Sequence, residues 1–304
     1  MVPDPSTVLP PGPWEHQFIA ANGARFHVAL AGPSHGDAPL VVLLHAFPQL
    51  WWAWRAQIEA LAGAGYRVAA MDLRGFGGSD KPPTGHGTPV LAADVAGVIR
   101  SLGAGRAVVV GHGFGGTVAW SMPALEPSVT RAVAVLANPH PLSLLRLNNR
   151  LPVRTRLVLA RVQVPWFPER ALTRGDLVAR LLAAGSAPGR AVPAEEVEMY
   201  STAMRLPSVA HTSLEHIRWL VRSTPRPDGR RFLERVSEPI RVPVLSVQGA
   251  QDRAVDAAGF AADAGMVAGP FRSVRIADAG HFLPEEAPDQ VSALLLDHLA
   301  SLPD

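Results

Sequence analysis

Residues 111–116 read Gly111-His112-Gly113-Phe114-Gly115-Gly116, after the β-forming run Ala107-Val108-Val109-Val110 and before the helical pattern Thr117-Val118-Ala119-Trp120. A strand, a sharp glycine-rich turn and a helix are the setting of a nucleophile elbow, G-x-S-x-G, which lifts a reactive side chain above a sheet. Gly111 and Gly115 keep the frame of that pattern. The middle position is Gly113, which has no side chain to attack with. A strained turn suits glycine, which takes positive φ at no steric cost.

The same letters satisfy G-x-G-x-x-G through Gly111, Gly113 and Gly116. That dinucleotide fingerprint expects a carboxylate roughly 20 residues on, at the end of the next strand. The next strand here, Ala132 to Ala137, ends in Asn138-Pro139-His140-Pro141 without one. The fingerprint also belongs on a domain's first strand, which this is not. No nucleotide cofactor is expected, and no other cofactor.

Composition narrows the classes further. The chain has 304 residues, 48% of them hydrophobic, enough for one large core carrying an insertion. Lys81 is the only lysine, and the formal charge of +2 comes with no dense basic run among aromatics, which argues against nucleic-acid binding. Without cysteine there are no disulfides, thiolate nucleophiles or Cys-ligated metals. His45, His112 and His281 lack compact ligand spacing, so no metal is expected either. The N-terminus has no basic and apolar leader pattern. No apolar run approaches the ~18 residues of a membrane span. The expectation is a cytoplasmic protein with a small-molecule substrate or ligand; nothing in the sequence sets its oligomeric state.

The elements that would position the turn can be read from periodicity. Residues 1–13 are Pro-rich and predict an extended arm. Strands are predicted at Phe26 to Leu30, Pro39 to Leu44, Arg67 to Asp72, around Val108, at Ala132 to Ala137, Val242 to Gln248 and Ser273 to Ile276. Helices are predicted at Trp52 to Ala64, Leu91 to Leu102 and after the glycine turn. Buried β-branched runs alternating with helices predict an α/β fold, a mainly parallel, doubly wound sheet. From 142 to 225 the strand rhythm stops and Leu, Arg and Ala recur at helical spacing. This predicts a core of residues 1–141 and 226–304, with 142–225 inserted as a helical cap over the carboxyl ends of the strands.

At this point the chain resembles the α/β-hydrolase fold family, in the branch of epoxide hydrolases, haloalkane dehalogenases and fluoroacetate dehalogenases. His45-Ala46-Phe47-Pro48-Gln49-Leu50-Trp51-Trp52-Ala53-Trp54-Arg55 is similar to that branch's H-G-F-P-x-x-W-x-x-W-R. Asp72-Leu73-Arg74-Gly75-Phe76-Gly77-Gly78-Ser79-Asp80 is similar to D-x-R-G-x-G-x-S-D, and the glycine turn resembles G-H-D-x-G-G. The resemblance implies that Asp252, in Gly249-Ala250-Gln251-Asp252, is the catalytic acid; Asp256 lies close by. It likewise implies that His281, in Asp278-Ala279-Gly280-His281-Phe282, is the catalytic histidine. Backbone N–H groups of Phe47 and Phe114 would form the oxyanion hole. His45, His112, Trp51, Tyr200 and His216 are further candidates for the pocket or cap.

Three departures stand out. Gly113 replaces the branch's Asp, or the Ser of esterases. Leu214-Glu215-His216-Ile217-Arg218 resembles L-N-W-Y-R but puts Ile217 where the proton-donating tyrosine would be. Ala46 replaces a glycine. The implied function is epoxide hydrolase-like hydrolysis of a small apolar substrate, with the covalent step lost or replaced by general-base chemistry through His281 and Asp252. The alternative is a non-catalytic protein that holds a ligand or partner in the same pocket.

Overall fold

The computed structural model describes residues 3–34, 38–146, 153–255 and 257–303. Eight strands form one sheet: β1 (Glu15–Ala21), β2 (Ala24–Ala31), β3 (Leu40–Leu44), β4 (Arg67–Met71), β5 (Ala107–His112), β6 (Thr130–Leu136), β7 (Val244–Gly249) and β8 (Phe271–Ile276). Their spatial order is β1-β2-β4-β3-β5-β6-β7-β8. The pairs β1·β2 and β2·β4 are antiparallel and the rest are parallel. The mainly parallel sheet expected from the sequence is therefore present. Every residue of β3 and β5 is buried, as continuous apolar runs require when helices cover both faces.

Helices α1 (Arg55–Gly63), α2 (Thr88–Ser101) and α3 (Phe114–Leu125) precede β6. Among the described residues, seven more lie between β6 and β7: α4 (Pro141–Arg146), α5 (Val153–Val162), α6 (Phe167–Arg174), α7 (Leu177–Gly185), α8 (Ala194–Arg205), α9 (Val209–Ser223) and α10 (Pro227–Val236). The expected insertion 142–225 includes residues 147–152, which lie outside the described residues. Short helices α11 (Ala257–Ala261) and α12 (Leu283–Glu286) flank β8, and α13 (Pro288–Ala300) closes the chain. No described helix is long and apolar enough to cross a membrane.

From β3 the chain moves to β4 on one side and later to β5 on the other, so the β3/β5 boundary is the topological switch point. A crevice opens there at the strands' carboxyl ends. Close approach at this boundary depends on the glycine frame. A Cβ at Gly111 would lie 2.2 Å from the Gly115 carbonyl oxygen, and one at Gly115 would lie 2.3 Å from that of Leu44.

One local expectation is corrected. The N-terminal arm is not simply extended: Pro5–Val8 form a 3-10 turn and Val8 is fully buried. The side chain of Trp51 explains this, because its indole N–H donates to the Val8 carbonyl (2.9 Å). Strand β1 escapes sequence reading because it is a half-exposed edge strand with few large apolar side chains.

Candidate active site

Four loops at the carboxyl ends of β3, β5, β7 and β8 bring Ala46, Gly113, Asp252 and His281 into the crevice. The imidazole Nδ1–H of His281 donates to Asp252 Oδ2 at 2.9 Å, leaving Nε2 as a free base. The other carboxylate oxygen of Asp252 accepts from the N–H groups of Ala254 (2.7 Å) and Val255 (3.1 Å), which fixes its orientation. Burial pulls the His281 pKa down, but the adjacent Asp252 charge and hydrogen bond outweigh it and hold the pKa above 6.5. Asp256, the neighbouring alternative acid, lies outside the described residues.

Gly113 forms the turn from β5 into α3 with φ +51° and ψ −116°, a conformation side-chain-bearing residues rarely adopt. Its N–H donates to Leu136 O (2.9 Å) and its carbonyl accepts from Gly116 N–H (2.9 Å). A Cβ at this position would lie 3.4 Å from His281 Nε2. The basic nitrogen thus faces a residue with no side chain. The N–H groups of Phe47 and Phe114 bond to no other protein group among the described residues.

The other candidates serve as supports. His45 is fully buried, accepts from Leu73 N–H (3.1 Å) at Nε2 and donates from Nδ1 to the Ala46 carbonyl (2.9 Å). Burial lowers its pKa, against the opposing pull of Asp72. His112 is buried and its pKa is lowered to about 3, first by burial and then by the proximity of His281. The ring nitrogens of His216 lie 2.7 Å from the Arg74 carbonyl and 3.1 Å from the His86 carbonyl, the ring stacks on Phe76, and its pKa is lowered to about 3, mainly by burial; the neutral ring has one N–H and donates to one of the two carbonyls. Its ring also meets that of Phe114 at 5.0 Å between centroids.

Trp51 and Tyr200 sit apart from this crevice in their contacts. Trp51 packs edge-on against Trp14 and Trp52 beneath the N-terminal segment. The Tyr200 hydroxyl donates to Glu285, which Arg55 and Gln49 also hold. Burial and the Glu285 charge raise the Tyr200 pKa well above its ordinary value, making it a poor acid.

Sequence reading passed over Glu286. One of its carboxylate oxygens accepts from the N–H groups of Gly280 and Ala187, and the other from Phe282, each at 2.8 Å. Together with the bond from His281 N–H to Gly185 O (2.9 Å), it ties the histidine loop to the segment after α7. Its only sequence signal is a buried-type carboxylate five residues after the histidine. A cavity of about 520 Å³ lies beside the Asp252 loop, with Thr117, Ile217, Leu220, Phe232, Ala254 and Val255 in its wall.

The pattern of the alpha/beta hydrolase fold family matches residues 39–288. The AB hydrolase superfamily protein YfhM of Bacillus subtilis is 31% identical over 288 residues, spanning 93% of this chain and 97% of that protein. Epoxide hydrolase A of Mycobacterium tuberculosis is 31% identical over 336 residues, spanning 94% of this chain and 97% of its own. The crystal structure of Epoxide Hydrolase A from Mycobacterium thermoresistibile superposes with a TM-score of 0.82 at 28% identity, covering 95% of this chain and 99% of that one. The chain belongs to the alpha/beta hydrolase fold family, among its epoxide hydrolase-like members.

Proposed function

We propose that this protein hydrolyses a small apolar substrate without a covalent intermediate, using His281 and Asp252 to activate water directly. The observation that carries this reading is the free Nε2 of His281 facing Gly113, where the resemblance implies a nucleophile. In an analogous triad, deleting the nucleophile costs about 10⁶ in rate, so the usual two-step covalent route is closed. The proton-handling pair is still assembled.

A water held at His281 Nε2, in the space above Gly113, would lose its proton to Nε2, and the hydroxide would attack the electrophilic carbon. Asp252 holds the imidazole tautomer and offsets the positive charge that forms on it. The N–H groups of Phe47 and Phe114 would receive the developing oxyanion. The proton then returns from His281 to the leaving oxygen. Ile217 has no proton to give, and His281, which took the proton, is the group placed to return it. This favours an ester carbonyl, whose oxyanion the backbone can hold, over an epoxide, whose leaving oxygen needs an acid.

The apolar cavity wall supports a small apolar substrate, and residues 142–225 are read as its cap. Rates of wild type and His281→Ala, compared on a panel of short esters and epoxides, test this. General-base catalysis predicts a 10²–10⁴-fold loss, on the order usual for such groups. Equal rates would contradict it and leave the ligand-holding alternative.

A further inference from the structure

Ala46, at the glycine of the H-G-F-P pattern, faces Gly113 across the crevice. A Cβ at Gly113 would lie 2.8 Å from the Ala46 Cβ and 3.7 Å from its Cα. Non-bonded carbons rest about 3.5–4.0 Å apart, so the first contact cannot stand unless one side moves.

Neither side is free to move. The Ala46 carbonyl accepts from Gln49 N–H (3.0 Å) and from His45 Nδ1 (2.9 Å), and His45 is in turn held by Leu73 N–H. The His45 carbonyl accepts from Gly115 N–H (3.2 Å), which locks this loop to the start of α3. Gly113 is fixed through both its N–H and its carbonyl. Ala46 itself is 1% exposed, so its methyl has no open space to enter.

We infer that Ala46 and Gly113 are a matched pair: the Ala46 methyl occupies the room that any side chain at 113 would need. The crevice is closed to a nucleophile carried at 113 unless residue 46 is also reduced to glycine. This rests on the reading of 113 as the nucleophile position. It makes the departure a two-residue commitment, which Gly113→Asp alone does not reverse.

The test is a double-mutant cycle read by thermal unfolding, with Ala46→Gly, Gly113→Ala and the two combined. The positive φ at 113 strains alanine equally in both backgrounds and cancels, leaving the steric contact. Gly113→Ala should lower Tm by at least about 3 °C more with Ala46 present than with Ala46→Gly, the scale expected of overpacking in a chain this long. Equal losses would overturn the pairing.

A second measurement reads chemistry. Gly113→Asp, alone and with Ala46→Gly, each in a His281→Gln background where an ester would not be hydrolysed, is mixed with a small alkyl halide, whose leaving group needs no proton, and examined by intact-mass spectrometry for an alkyl ester. The adduct should form only in the double variant. An equal adduct in Gly113→Asp alone would overturn the inference. Coupling in Tm with no adduct in either variant would uphold the pair and refute 113 as a nucleophile position.

Discussion

The Nε2–H of His112 donates to the main-chain carbonyl of His281 across 2.7 Å, so the end of β5 clamps the loop that carries the basic histidine. The carbonyl only accepts, so Nε2 must carry the proton, and buried Nδ1 has no hydrogen-bond partner among the described residues. His112 is therefore a neutral strut, and Glu286 grips the same loop from its other side.

This gives stability a defined pH dependence. His112 titrates near 3 in the fold and near 6.5 when unfolded, so below pH 6.5 the unfolded chain binds the extra proton. Its contribution is intact above 6.5 and lost progressively toward 3. Between pH 6.5 and 5 the loss should reach about 2 kcal/mol. Urea unfolding of wild type and His112→Asn over this range should show a shallower acid slope in the variant, because asparagine keeps a donor and does not titrate.

Activity should run on a different group. His281 acts as a base only when neutral, and its pKa is held above 6.5 by Asp252. The pH–rate profile should therefore rise through a midpoint above 6.5. Asp252→Asn should cut the rate by 10²-fold or more and shift the midpoint downward, since burial is then opposed by the Glu286 charge alone. A midpoint that stays in place would assign the titration to another group.

Tyr200 offers a third check. Arg55 pairs with Glu196 on α8 and, at 3.2 Å, with Glu285 on α12, while Tyr200 donates to Glu285. Burial pushes the Glu285 pKa up to about 7, against the pull of Tyr200 and Arg55. Arg55→Ala should cost about 2 kcal/mol or more by leaving two carboxylates facing each other, somewhat less than a fully buried pair because Arg55 is a quarter exposed. Tyr200→Phe should cost about 1 kcal/mol and leave the rate within about twofold, whereas a catalytic acid would lose far more.

Much of the frame was legible from the sequence because parallel strands buried on both faces leave long β-branched runs, as in Leu40–Leu44 and Ala107–His112. The glycine turn was legible because close backbone approach admits no other residue. Edge strand β1 was missed because its half-exposed pattern carries little apolar signal. Ala46 looked like a mild change, since a methyl's consequence depends on what stands opposite it. Glu286 was passed over for the same reason: one of its three N–H partners, Ala187, lies 99 residues away along the chain. Trp51 and Tyr200 could be named as aromatic candidates, but only packing tells a core ring from a pocket ring.

Under the proposed mechanism, hydrolysis here never passes through an ester on the polypeptide. In a covalent mechanism, removing the histidine stalls the second step and traps the intermediate. His281→Gln, incubated with ester and epoxide substrates and examined by intact-mass spectrometry, should retain its unmodified mass. A stoichiometric gain equal to a substrate fragment, mapped to a crevice peptide, would contradict the account.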